Sequence, residues 1–374
     1  MEPSHLTRGG EGRHPPVRVS WSDQLGPSGL SPRAADADRP AAPWLRSRPV
    51  TPSDTLDAKE GTDHVSKIAI VGTGAMGSVY AGLLASAGNE VWAVDTWADH
   101  IDAIRRNGLR VEGASGDRVA HPHATTDATE VGRCDLVVVA TKARDVVDAA
   151  TAAKSLVGEG TVVLTIQNGL GSAERIAGVL GGGEGVAVGI VGGFGASIPE
   201  PGHVRHEGWE MLHMGELSGP VTPRLTKVAS VWSAAGFRVS TYDDIELMVW
   251  EKFLCNVCFS GTCAVTGLTI GEVIEDPDAW RIASGCATEA WEVGRALGVP
   301  LAIEDPVEYV RNFGSSIPHA RPSMLLDALA GRLSEIDVIN GAVPEQAARA
   351  GLRAPYNEVV TALVRQRESR LQPA

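Results

Sequence analysis

A run of four apolar residues, Ile68-Ala69-Ile70-Val71, leads directly into Gly72-Thr73-Gly74-Ala75-Met76-Gly77. An apolar helical pattern through Val79, Leu83, Leu84 and Ala87 follows and ends at Gly88. An unbroken apolar run of this length suits a parallel strand buried on both faces. Each glycine then has a mechanical use: Gly72 allows a tight turn, Gly74 lets a pyrophosphate approach the backbone, and Gly77 lets the helix pack against the strand. The start of the helix offers free N–H groups and a positive dipole end to phosphate oxygens. The turn residues Gly72, Thr73, Gly74, Ala75, Met76 and Gly77 are therefore candidates for binding a dinucleotide.

Strands and helices keep alternating downstream. Glu90–Asp95, Asp135–Ala140, Thr161–Ile166 and Val186–Ile190 read as strands, with helices over Ala143–Leu156 and Gly171–Leu180. Such alternation implies a mainly parallel sheet with right-handed crossovers. His203–His206 and Met211–Met214 read as short strands at an antiparallel edge. From about Thr241 strand signals fade. Trp250, Phe253, Leu254 and Val257 recur at helical spacing, as do apolar groups in Trp280–Leu297, Pro306–Phe313, Met324–Leu333 and Tyr356–Val364. The expected fold class is α/β plus α: a Rossmann dinucleotide-binding domain over residues 65–240 and an all-helical domain over residues 241–370. Residues 1–64 hold 9 of the 22 prolines and no periodic apolar pattern, so they are expected to be a disordered extension.

Strand ends carry the polar candidates. Asp95 ends the second strand, where a carboxylate can bind both ribose hydroxyls of NAD and repel the 2′-phosphate of NADP. No Arg or Lys stands in Thr96–His100, so these residues favour NADH. Lys142 and Asn168-Gly169 each follow a strand, on the side where ligands bind such sheets. In the second domain Lys252 and Asn256 are four residues apart and share one face of an apolar helix.

Composition narrows the partners. A net charge of −13 without a long basic run disfavours nucleic acid and anionic membranes. Apolar stretches such as Leu136–Ala140 and Val186–Ile198 are far too short to span a bilayer, and the N-terminus has no apolar signal-like region. Five cysteines in so long a chain imply reduced thiols and a cytoplasmic location. Cys255, Cys258 and Cys263 fall on or after an apolar helix and read as small hydrophobes, and the short-spaced His121/His123 and His203/His206 read as surface residues, so no metal site is expected.

Five patterns, in order, resemble the ketopantoate reductase (2-dehydropantoate 2-reductase) family. They are the glycine turn, Thr141-Lys142-Ala143, Gln167-Asn168-Gly169-Leu170-Gly171, Trp250-Glu251-Lys252-Phe253 with Asn256, and the segments around Ser323 and Glu335-Ile336-Asp337-Val338-Ile339-Asn340-Gly341. The resemblance runs from Lys67 to about Arg367. It implies reduction of a 2-keto acid, 2-dehydropantoate to pantoate, with hydride from NAD(P)H and a proton from Lys252. It also implies that Glu335 is catalytic and contacts the cofactor. Asn168, Asn256, Ser260 and Ser323 would bind substrate, Asn168 and Lys142 would serve the cofactor, and a homodimer is expected.

Two departures bear on specificity. The family commonly has a second Asn four residues after the first, where this chain has Ser260-Gly261-Thr262; His319 and Ala320 stand where many members carry Asn. The family mostly uses NADPH, whereas Asp95 points to NADH. A reductase of another 2-keto acid and a dinucleotide sensor without turnover are the alternatives. Lys252 and Glu335 argue against the sensor, which needs no proton donor.

Overall fold

The computed structural model describes residues 65–193, 195–208 and 211–371; the extension expected over residues 1–64 lies outside the described residues. The first half contains β1 (Lys67–Val71), α1 (Ala75–Ser86), β2 (Glu90–Val94), α2 (Ala98–Asn107), β3 (Leu109–Gly113), β4 (Arg118–Ala120), β5 (His123–Thr125), β6 (Leu136–Val139), α3 (Val146–Ala153), β7 (Val162–Thr165), α4 (Ser172–Leu180) and β8 (Val186–Val191). Then come β9 (Gly195–Glu200), β10 (His203–Gly208), β11 (Met211–Glu216), α5 (Pro223–Ala234) and β12 (Arg238–Thr241). The remainder is helical: α6 (Glu246–Thr266), α7 (Ile270–Glu275), α8 (Pro277–Ala296), α9 (Pro306–Ser316), α10 (Ser323–Leu329), α11 (Ala342–Arg349) and α12 (Pro355–Glu368).

The main sheet runs β12-β11-β8-β7-β6-β1-β2-β5. Its six strands from β5 to β8 are parallel, in the order of a doubly wound dinucleotide-binding sheet. Period-two alternation divides β1 between two cores. Ile68 and Ile70 face α1 and α5, while Ala69 and Val71 face α3 and α4. Both faces are covered, so the strand is apolar throughout and reads as a continuous run.

Of the two strands expected at the antiparallel edge, β11 pairs antiparallel with β8 in the main sheet. The segment His203–His206 goes elsewhere: β10 lies in a second sheet, β4-β3-β10-β9, parallel to β3 and antiparallel to β9. The cause is α1. Residues Gly77 to Leu84 are all buried, so the helix must be covered on the side away from β1 as well. Leu109, Val111 and Val204 of the small sheet join that core. Gly82 admits the approach, since a Cβ there would lie 2.4 Å from Val111 Cγ2. The helix expected over Ala143–Leu156 is a 3-10 turn at Ala143–Asp145, then α3, then a 3-10 turn at Lys154–Leu156. The Ala143 N–H at the start of the first turn donates to Glu335, outside the helix.

In the helical half, α6 is the axis. Thirteen of its residues are buried, and α8, α9, α10 and α12 pack against it. Local signals start its neighbours: Thr269 and Glu272 form a capping box for α7, Asp276 caps α8, and Asp305 caps α9 ahead of Pro306. Helix α12 has no side-chain cap of its own. Glu289 of α8 replaces it, accepting from the N–H groups of Tyr356 (2.8 Å) and Asn357 (3.0 Å) and from Asn357 Nδ2 (2.8 Å). Asn357 Oδ1 in turn accepts from Asn340 Nδ2 (3.0 Å), which also donates to the Val257 carbonyl of α6 (2.9 Å). This buried chain ties the segment after Glu335 to α6. All five cysteines are buried, as the apolar reading expects of Cys255, Cys258 and Cys263. Glu289→Ala removes the acceptor of three donors, two of them on the buried Asn357, and urea unfolding of this variant should show a loss of about 2–3 kcal/mol.

Candidate active site

Five strands deliver polar groups to the same edge of the sheet, their carboxyl ends. After β1 comes the glycine turn. Gly72 has φ +95°, and a Cβ on it would sit 2.6 Å from Thr141. A Cβ on Gly77 would sit 2.0 Å from the Gly72 carbonyl oxygen. The turn is thus folded too tightly for side chains at either position. Gly74 differs: it is exposed, and a Cβ there would meet nothing within 4 Å. It is also the N-cap of α1 and leaves the helix start without a side-chain partner. The open cradle and uncapped helix N-terminus fit a pyrophosphate, with the half-buried Ala75 and Met76 beside them. Thr73 is fully buried, and its hydroxyl donates to the Val94 carbonyl (3.2 Å), so it shapes the turn from inside.

Asp95 follows β2. Its Oδ1 accepts from the Trp97 N–H (2.9 Å), and Oδ2 is left for a further donor. After β6, Lys142 Nζ pairs with Asp327 Oδ2 of α10 (2.8 Å). Asp327 is buried and also receives Arg332 Nε (3.0 Å). After β7, Gln167 Nε2 donates to the carbonyls of Val139 (2.8 Å) and Thr141 (3.0 Å), which fixes the neighbouring strand end. Asn168 follows it. Gly169 has φ +81° and lies so close to the 3-10 turn Ile336–Val338 that a Cβ would be 2.1 Å from the Val338 oxygen. The next N–H, Leu170, donates to that oxygen (3.0 Å).

Lys252 reaches this edge from the second turn of α6. Its Nζ donates to Asn168 Oδ1 (2.8 Å) and to the carbonyl of Val191 at the end of β8 (2.8 Å). Burial pulls the ammonium down to about 8, against the opposing pull of the Glu335 carboxylate. Glu335 is held by the Ala143 N–H on its Oε1 (3.1 Å). Lys252, Asn168, Glu335 and the 142–143 turn therefore meet at one seam. One and two turns beyond Lys252 on α6 stand Asn256, half-buried, and Ser260, buried. Ser323 is the exposed first residue of α10, on the same helix face as Asp327 four residues on.

Three participants were not foreseen from the sequence. The Val191 oxygen belongs to the backbone and has no residue-type signature. Asp327 stands four residues after Ser323, and that i,i+4 spacing was a usable signal. His213 on β11 is fully enclosed, with its ring at 68° to that of Tyr242; burial, reinforced by the Lys252 charge, pushes it down to about 4. It is therefore neutral beside the lysine at neutral pH. Among the described residues no group of three or more His, Cys, Asp or Glu is arranged to hold a metal, and no helix is long and apolar enough to cross a membrane.

A doubly wound sheet with an open glycine cradle, and a lysine brought across the strand ends by a helical domain, define the class of two-domain dinucleotide-binding proteins. The chain belongs to the PanE/ApbA ketopantoate reductase family: residues 68–219 match the family's first domain and residues 244–368 its C-terminal domain. It is 32% identical to the 2-dehydropantoate 2-reductase of Halobacterium salinarum, over 80% of this chain and 98% of that one. Among solved structures it is similar to a PanE/ApbA family ketopantoate reductase from Ralstonia eutropha, with 32% identity, a TM-score of 0.75, and coverage of 82% of this chain and 100% of that one. It is also similar to D-mandelate dehydrogenase in a ternary structure with NADH and anilino(oxo)acetate, with 26% identity, a TM-score of 0.75, and coverage of 82% and 99%.

Gly169→Ala forces apart the contact between the β7 loop and the Val338 turn. A loss of about 1–3 kcal/mol in urea unfolding is expected from the positive φ and the clash together.

Proposed function

We propose that this protein is a 2-dehydropantoate 2-reductase that uses a nicotinamide dinucleotide to reduce the keto group to the hydroxyl of pantoate. The observation that carries the reading is Lys252 Nζ, fixed by two oxygens at 2.8 Å over the carboxyl ends of β7 and β8. Family membership and the similarity to named 2-dehydropantoate 2-reductases support it.

The ammonium has three N–H bonds, and two are spent on Asn168 and Val191. The third is left to meet a substrate carbonyl oxygen. The cofactor, when bound, supplies the hydride to the carbonyl carbon. Lys252 donates its proton to the oxygen, so no alkoxide is left in the cleft. Its lowered proton affinity makes it a better acid than a surface lysine, while Glu335 keeps enough of it charged. Asn168 orients the ammonium and stands between the substrate and cofactor sides. Asn256, Ser260 and Ser323 bind the substrate. The turn from Gly72 to Gly77 cradles the pyrophosphate, Asp95 takes the ribose through its open Oδ2, and Lys142 and Glu335 stand on the cofactor side.

A second reading, reduction of a different 2-keto acid, draws on two observations. Ser260 is shorter than the Asn common in the family, which leaves more room beside Asn256. The similar D-mandelate dehydrogenase was captured with a 2-oxo acid analogue, anilino(oxo)acetate.

Initial rates with 2-dehydropantoate, using NADH and NADPH in turn, test the reading. Turnover is expected with both and faster with NADH. A preference for NADPH of tenfold or more would remove the role given to Asp95. Turnover only with other 2-keto acids would select the second reading. Lys252→Ala should lower kcat by about 10²–10⁴-fold with dinucleotide affinity retained. Since only the ammonium can donate, kcat/KM of the wild type should be level below pH 8 and fall about tenfold per unit above it. A profile level to pH 10 would exclude Lys252 as the acid.

A further inference from the structure

His100 is fully buried on α2, outside the site described above, yet it is wired to it. The Gly202 N–H, in the β9–β10 turn, donates to His100 Nδ1 (3.0 Å). Nδ1 is therefore the acceptor, and the proton of the neutral ring is on Nε2. Nε2 lies 3.0 Å from Ser78 Oγ and donates to it. Ser78 Oγ passes its own hydrogen to the Thr73 carbonyl (3.0 Å), inside the glycine turn. Every donor in this chain has an acceptor, and only one tautomer satisfies it. On the other side the ring is stacked by Trp97 (4.9 Å between centroids, 14° between planes), whose N–H holds Asp95. Thr73, Ser78 and His100 are all 0% exposed, so water cannot replace a lost bond.

We propose that His100 is a positioning residue for dinucleotide binding: through Ser78 it fixes the Thr73 carbonyl, and through Trp97 it fixes the turn that carries Asp95. The inference rests on the dinucleotide reading of the glycine turn. It assigns distinct duties to the two ring nitrogens. The Nε2 arm shapes the pyrophosphate cradle, and the Nδ1 arm anchors the ring to the small sheet. His100 touches neither substrate nor reacting atoms, so its effect belongs to cofactor affinity and not to the chemical step.

The two amide residues separate these duties. Gln at position 100 brings an N–H near the place of Nε2, and Asn brings an oxygen near the place of Nδ1. Calorimetric titration of the full chain with ADP-ribose, which lacks nicotinamide, reads affinity apart from turnover. Thermal unfolding reads stability. His100→Asn should weaken ADP-ribose about tenfold, as loss of one buried hydrogen bond implies, whereas His100→Gln should stay within about threefold. Melting temperatures should fall alike in both. With NADH, His100→Asn should raise KM and leave kcat unchanged. Ser78→Ala, at a small-residue position, cuts the same arm without emptying the ring's site and should also weaken ADP-ribose about tenfold. Affinity losses that merely follow the fall in melting temperature, equal in Asn and Gln, would overturn the proposal, as would unaltered affinity in Ser78→Ala. A wild type that binds neither ADP-ribose nor NADH would instead strike the dinucleotide reading itself, and this inference with it.

Discussion

A single cation from the helical domain finds its partners on the sheet. Lys252 cannot be left half-enclosed without acceptors, because an ammonium taken from water needs its N–H bonds satisfied. Asn168 and Val191 supply them from two adjacent strand ends. That arrangement requires the domains to meet closely. Gly169 lets the β7 loop touch the Val338 carbonyl, Glu335 reaches the Ala143 N–H, and Lys142 reaches Asp327. Each of these contacts crosses the same seam, so the position of the lysine and the fit of the two domains are one problem with one solution.

Rigid supports lie behind the seam on both sides. In the sheet, Gln167 fastens the end of β6 to the loop after β7. In the helical domain, the Glu289–Asn357–Asn340 chain joins α8, α12 and the segment after Glu335 to the backbone of α6. The bonds made by Asn340 Nδ2 and by both ends of the Asn357 amide hold these two buried side chains in one mutual arrangement. They let α6 present Lys252, Asn256 and Ser260 in fixed register along one face.

Much of this was legible in the chain. The glycine turn, the strands β1, β2, β6, β7 and β8, and helix α6 rest on local signals: an apolar run, a turn residue, a helical period. Lys252, Asn168 and Glu335 were recognisable because their motifs combine, and the structure brings those three together. The strands β3, β4 and β5 escaped because exposed polar residues interrupt them, whereas β6 and β7, though no longer than β3, are buried, almost wholly apolar runs. Helix α2 escaped because its apolar positions are few and its polar ones many. His203–His206 was legible as a strand but not as a member of a second sheet, because alternation shows which face is apolar and not which neighbour will cover it.

The sequence by itself determined the strands β1, β2, β6, β7 and β8, the helical character of the second half, the glycine-lined turn and the identity of the polar residues at the strand ends. These depend on interactions within a few residues of one another, where backbone sterics and side-chain spacing decide. The tertiary structure alone decided that Val191 offers its carbonyl to Lys252, that Asp327 takes Lys142, that a small sheet closes over α1, and that His100 joins the glycine turn to α2. Those contacts bridge from about 20 to 185 positions in the chain. A carbonyl oxygen carries no residue type to read, and a buried polar side chain reveals its partner only when packing has removed the water that would otherwise serve.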